Sequence, residues 1–203
     1  MIALALAATM FTAAPVTPQS GIVATRDTAV FAGGCFWGVQ AVFARVTGVV
    51  SSISGYAGGK VAGPSYEMVS TGATGHAESV QVIYDPSKVS YDQLLEVFFA
   101  VAHDPTELNR QGPDVGTQYR SAVFFHGAEQ QRATNAFIAK LTQAKKFSHP
   151  IVTQVAPLSA FYPAEEYHQG YYDTHPTQPY IMYNDKPKVD ALKKQFAALY
   201  NGK

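Results

Sequence analysis

Thr28-Ala29-Val30-Phe31-Ala32-Gly33-Gly34-Cys35-Phe36-Trp37-Gly38 runs from an apolar segment through a double glycine into a cysteine and two large aromatics. The apolar segment reads as a short strand, and from Phe36 onward apolar residues at 36, 39, 43 and 46 mark one face of a helix. Cys35 is therefore expected at a strand-to-helix turn, where glycines let the backbone bend tightly. A helix N-terminus directs free N–H groups and partial positive charge at such a position, which favours thiolate over thiol. Burial by the neighbouring aromatics opposes that effect. This is the only cysteine in 203 residues and stands beside the only tryptophan, so a reactive thiol is a better reading than a core cysteine.

Working outward, Val49 to Tyr56 reads as a second strand after Gly48. Residues 57–77 form a long connection rich in Gly, Ser and Thr. Glu78 to Tyr84 alternates cleanly, with Val80, Val82 and Tyr84 on one face, and so reads as a third strand. Ser90 and Gln93 are spaced as a capping box opening a helix to about Ala102. After another aperiodic stretch, 103–120, come a strand over Ala122–Phe125, a helix over Glu129–Lys145 and a strand over Ile151–Val155. Pro163–Tyr172 reads as a short helix. A last helix follows Pro187, with Val189, Leu192, Phe196 and Leu199 on one face. The first six elements run strand, helix, strand, strand, helix, strand, which predicts an α+β fold with a ferredoxin-like core, a two-layer sandwich with extra helices and a C-terminal extension. In that topology the end of the first strand and the two long connections meet at one edge, so both loops converge on Cys35.

That convergence selects the candidate site residues. Strand parity puts Glu78 on the more apolar face, where its carboxyl is costly as an anion and holds its proton toward neutral pH, as a general acid must. Tyr66 lies in the first long connection, Asp114 and Tyr119 in the second; phenol and carboxyl groups there can bind or orient a polar oxygen. The six histidines are scattered without metal-ligand spacing, and no second cysteine is available to a metal, so no metal is expected. A Cys–His catalytic pair with His76 or His168 stays open. Gly55-Tyr56-Ala57-Gly58-Gly59 matches no nucleotide-binding fingerprint.

Fifteen Lys and Arg balance fifteen Asp and Glu, which gives no basis for nucleic acid or an anionic membrane as partner. A single cysteine also excludes an internal disulfide, so any redox cycle must be closed by a thiol from another molecule. The start of the chain is apolar from Ile2 to Phe11 and followed by small residues, which suggests an export signal, although the first basic residue is Arg26. Residues 1–27 are thus expected to be a leader and linker, and 28–203 a single domain. A periplasmic or secreted location follows if the leader is a signal, a cytoplasmic one if it is not. A monomer is expected.

Gly33-Gly34-Cys35-Phe36-Trp37-Gly38 resembles the signature of the A-type peptide-methionine (S)-S-oxide reductases. The resemblance continues through Gly55–Gly59, Thr74-Gly75-His76-Ala77-Glu78, His103-Asp104-Pro105-Thr106, Gly116-Thr117-Gln118-Tyr119-Arg120-Ser121 and Glu166-Tyr167-His168-Gln169. It implies that Cys35 attacks a sulfoxide sulfur while Glu78 protonates the oxygen, and that Tyr66 and Tyr119 hydrogen-bond that oxygen. Asp114 would hold the polar side of the site, and Phe36 and Trp37 would clamp the S-methyl group. The expected products are methionine and a Cys35 sulfenic acid. Many family members carry further cysteines that resolve the sulfenic acid; here the corresponding position in the 66–72 loop is Ser70. The resemblance therefore implies no cofactor but an external reductant such as thioredoxin, or glutaredoxin with glutathione. Competing readings are a cysteine hydrolase or acyltransferase, a one-cysteine thiol peroxidase, and a non-catalytic thioether-binding module.

Overall fold

A computed structural model describes residues 26–203. The apolar run 2–11 and nearly all of the expected leader lie outside the described residues. Within them, no helix is long and apolar enough to cross a membrane.

β1 (Asp27–Gly33) leads into α1 (Phe36–Ala44), then β2 (Val49–Ala57), the short α2 (Tyr66–Ser70), β3 (Ala77–Tyr84) and α3 (Tyr91–Val97). A hairpin of β4 (Arg110–Gln111) and β5 (Asp114–Val115) precedes β6 (Ser121–Phe125) and α4 (Gly127–Gln143). The chain closes with β7 (Gln154–Pro157), β8 (Phe161–Pro163), α5 (Tyr171–Thr174) and α6 (Lys186–Gln195). One six-stranded sheet runs in the order β7-β6-β1-β3-β2-β8. Its four central strands pair antiparallel throughout, and β7 joins β6 in parallel. The fold is thus mixed α+β, with two more strands than a four-stranded core.

The sheet is curled, and the connectivity requires it. β7 and β8 occupy opposite edges yet are separated only by Leu158-Ser159-Ala160. Four residue steps reach at most about 14 Å, whereas five strand spacings across a flat sheet would need about 24 Å. The inner face of the curl carries small side chains to match: Ala32, Ala57, Ala77 and Ala122 cluster there with Val30 and Phe124. Arg120 reaches across the junction, donating to Gln154 Oε1, Thr117 O and Gly75 O.

The main core lies on the other face. Phe31 stacks on Phe43 of α1 and on Phe98, with centroids 5.0 and 4.8 Å apart, and Val80, Val82 and Tyr84 pack beneath them. Helix α1 is buried nearly all round, because the sheet covers one side and α5, α6 and the turn before α6 cover the other. The sequence marked only one apolar face on it. Ser90 Oγ accepts the Gln93 N–H and Gln93 Oε1 accepts the Ser90 N–H, so the expected capping box starts α3. A π-helical turn at Phe98–Ala102 continues it to the expected end.

The remaining differences concern short elements. The 57–77 connection contains α2, capped by Ser65, and 103–120 contains the β4–β5 hairpin. The 151–155 strand sits three residues later, at Gln154–Pro157, because Pro157 closes the pairing with Phe125 instead of ending the strand before it. Pro163–Tyr172 is not one helix: its first residue ends β8, and a single 3₁₀ turn at Glu166–His168 precedes α5. The last helix ends at Gln195, short of Phe196 and Leu199.

Candidate active site

Cys35 is the N-cap of α1, and the double glycine sets it there. Gly34 holds φ +87°, and a Cβ on it would lie 2.5 Å from the Cβ of Gln111. Gly38, one turn into the helix, leaves room for a carboxylate: a Cβ there would lie 2.1 Å from Asp185 Oδ1. Both positions demand glycine, the first for backbone shape and space, the second for space alone.

A cavity of about 280 Å³ opens at this turn, lined by Cys35, Trp37, Tyr66, Glu78, Asp114, Tyr119, Gln178 and Tyr180. The two long connections do meet at Cys35. Of the seven residues expected at the site, six line the cavity, and Phe36 is the exception. Its ring is 1 % exposed and packs behind the wall against Tyr56 and His168. Its backbone N–H instead serves the site, donating to Glu78 Oε2 at 3.0 Å.

Glu78 is buried on the face of Val80, Val82 and Tyr84, at an end of β3 where Ala77 and Ser79 on the opposite face are buried too. Burial pushes its carboxyl up to about 8; the Phe36 N–H opposes this, and the charges of Asp114 and Asp185 add to it. Glu78 therefore holds its proton at neutral pH. The thiol of Cys35 is raised well above its usual range, first by burial, then by Glu78 and Asp185; the Trp37 N–H and Lys188 counter this in part. The expected helix-end activation is thus outweighed by desolvation, and the resting site carries two protons, one on sulfur and one on carboxyl. Burial also raises Tyr66 and Tyr119, which keeps both phenols as hydrogen-bond donors.

Trp37 is fixed on three sides. Its ring stacks on Tyr171 with centroids 3.8 Å apart, meets Tyr180 edge-on at 5.8 Å, and its indole N–H donates to His168 Nδ1 at 3.2 Å. Tyr180 in turn donates to Asp114 Oδ2. Glu165 anchors the opposite wall, accepting the Tyr66 N–H and the Tyr56 hydroxyl, each at 2.9 Å.

The histidines are engaged elsewhere. His76 accepts the Gly59 N–H through Nδ1 and donates from Nε2 to Val61 O. His168 spends Nδ1 on Trp37, and burial lowers its basicity. No histidine lines the cavity, so neither candidate base for a Cys–His pair is in place among the described residues. Nor do these residues contain a group of three His, Cys, Asp or Glu side chains that could hold a metal ion.

Gln178, Tyr180 and Asp185 were missed in the sequence. The 176–185 segment has neither periodicity nor a motif, and the only local signal is Pro187, which marks the helix start just beyond it.

A protonated carboxyl and the single thiol share an aromatic-walled cavity, and the protein is an oxidoreductase by its relatives. The chain belongs to the peptide methionine sulfoxide reductase family, whose model matches residues 27–200. It is 56 % identical over 177 residues to "Peptide methionine sulfoxide reductase MsrA 2" of Mesorhizobium japonicum, covering 87 % of this chain and 91 % of that one. It is 52 % identical to MsrA of Nautilia profundicola over 82 % of this chain and 94 % of the relative. Among solved structures, reduced Mxr1 of Saccharomyces cerevisiae superposes with TM-score 0.70 at 35 % identity, covering 77 % of this chain and 89 % of Mxr1. Mxr1 in complex with Trx2 gives TM-score 0.51 at 26 % identity, over 76 % and 90 % of the two chains.

Proposed function

We propose that this oxidoreductase reduces the S epimer of methionine sulfoxide in proteins and peptides, with Cys35 as nucleophile and Glu78 as general acid. The observation that carries the reading is the buried Glu78 carboxyl, raised to about 8, in one cavity with the only cysteine. A sulfoxide oxygen leaves poorly until it is protonated, so a neutral acid beside the nucleophile is the group the reaction needs. Cys35 sulfur bonds to the substrate sulfur as Glu78 passes its proton to the oxygen, and the thiol proton restores the carboxyl. The oxygen then moves to Cys35, leaving a thioether and Cys35–S–OH. Tyr66 and Tyr119 donate to the oxygen during transfer, Asp114 orders the polar side with Tyr180, and Trp37 supplies the apolar wall for the methyl group with Phe36 behind it. Such a site, with donors on one side and an aromatic plane on the other, presents one epimer's oxygen to the acid and turns the other's away.

The sulfenic acid has no partner thiol within the chain. An external thiol attacks Cys35 sulfur and releases water; a second thiol attacks the mixed disulfide and frees Cys35. The complex of Mxr1 with Trx2 supports a thioredoxin-class reductant, and glutaredoxin with glutathione supplies the same chemistry. We also read the central strands, ordered β6-β1-β3-β2, as a ferredoxin-like core. Residues 1–27 are read as a leader that carries an export signal and a linker, which N-terminal sequencing of the protein from its native source tests.

The deciding experiment measures turnover of the separate S and R epimers of an N-blocked methionine sulfoxide with dithiothreitol as reductant. Turnover of S alone is expected; turnover of neither, or of both equally, overturns the reading.

A further inference from the structure

Burial raises the Asp185 carboxyl to about 6 against the pull of Lys188, so at neutral pH it carries a charge that neither the sulfoxide chemistry nor the fold plainly requires. It lies in the π-helical turn Ile181–Asp185 before α6, is 0 % exposed, and presses its Oδ1 against Gly38 in the first turn of α1. Lys188, one turn further on, approaches Oδ1 at 3.3 Å, and Oδ2 has no hydrogen-bond partner. Half-satisfied buried carboxylates are costly, and an apolar side chain could fill the space beside Gly38.

The placement explains the cost. Cys35 caps the helix whose first turn Asp185 touches, so a carboxylate sits where the helix dipole would otherwise favour a thiolate. The charged and titratable groups around Cys35 are Glu78 from β3, Asp185 and Lys188 from the C-terminal segment, Tyr66 from α2, and Asp114, Tyr119 and Tyr180 in the cavity wall. Asp185 acts on both members of the reacting pair, disfavouring charge on Cys35 and on Glu78, while Lys188 opposes it at the thiol.

We propose that Asp185 is a positioning residue whose anion, trimmed by Lys188, keeps both reacting protons in the resting site, on Cys35 sulfur and on the Glu78 carboxyl. An adjacent anion keeps the thiol uncharged until substrate and the proton transfer from Glu78 make sulfur attack productive. It also spares a cysteine without a resolving partner in its own chain from adventitious oxidation, since thiolate is the oxidisable form. The inference rests on the proposed roles of Cys35 and Glu78, but its first test does not depend on them.

Because Cys35 is the only cysteine, the pH dependence of iodoacetamide alkylation of the whole protein reports that thiol alone. Asp185→Asn keeps the shape and removes the charge; its profile should move to lower pH, with about tenfold faster alkylation below the midpoint for each unit moved. Lys188→Met should move the profile the opposite way. A residue that only packs would leave both midpoints at the parent value, and that result, or movement of both in one direction, overturns the proposal. Should Asp185→Asn fail to fold, Lys188→Met decides alone: an upward shift supports the proposal and an unmoved midpoint ends it. Failure of the catalytic reading would show separately, as turnover surviving in Cys35→Ser.

Discussion

Glu78 Oε2 lies 3.0 Å from the backbone nitrogen of Phe36, the residue that follows Cys35. The carboxyl is thereby tied to the same turn as the thiol, and the two cannot drift apart without opening the first turn of α1. Glu78→Gln keeps this hydrogen bond and removes the transferable proton. Turnover should fall by about 10²- to 10⁴-fold, the range for general acid catalysis. In the parent, kcat/KM should decline as pH rises through about 8, where Glu78 of the free enzyme ionises. The variant should lack that limb, and a steady-state pH profile of both proteins checks it.

The same carboxyl leaves a mark on stability. In the unfolded chain it ionises near 4.5, in the native protein near 8. Between those values the unfolded state has released a proton that the native state keeps, so this group's contribution to stability falls as pH rises through the window. Urea melts of Glu78→Gln and the parent should diverge between pH 5 and 8, the variant gaining relative stability toward the alkaline side.

With no thiol present, the enzyme should make one methionine per chain and stop. Its thiol titre should fall to zero while its mass rises by one oxygen atom, since the single cysteine has nowhere to form a disulfide within the chain. Rapid-quench product counting and intact mass spectrometry test this. More than one equivalent of methionine would refute the sulfenic acid cycle.

Tyr171 stacks on Trp37 at 3.8 Å from outside the cavity. Tyr171→Leu should free the indole plane and shift the emission of the sole tryptophan to the red. KM should rise on the order of 2- to 10-fold, the worth of an aromatic pair, while kcat changes less. Fluorescence and Michaelis kinetics on the same preparation separate this from global unfolding.

Gly34→Ala places a methyl 2.5 Å from Gln111 Cβ at a residue with φ +87°. Crowding and backbone strain together should cost about 2–4 kcal/mol. Ser90→Ala, far from the cavity lining, should cost about 1 kcal/mol through the lost cap and leave turnover at 25 °C unchanged. Chemical denaturation ranks the two.

The long periodic elements were readable because burial on one face writes a period into the sequence. The alternation Glu78-Val80-Val82-Tyr84 located a buried carboxyl, and the Gly34-Cys35-Phe36 turn located the thiol at the helix start. Helix α1 was underestimated, since a helix covered on two sides has no polar stripe for contrast. Five-residue α2 and the two-residue strands β4 and β5 are shorter than any period. Tyr180 and Asp185 were illegible for another reason: what places them is the packing of the C-terminal segment on α1, a contact across more than a hundred residues that leaves no local pattern.

The three residues that link β7 to β8 impose an order of events on synthesis. The sheet cannot close until residue 163 is available, and the cavity wall is incomplete until Gln178 and Tyr180 arrive. Since chains emerge N-terminus first, Cys35 is made early and waits through some 145 further residues for the last residue of its cavity wall. Until then the burial that holds the Cys35 thiol above its usual range is incomplete, and a less buried thiol is more open to oxidation.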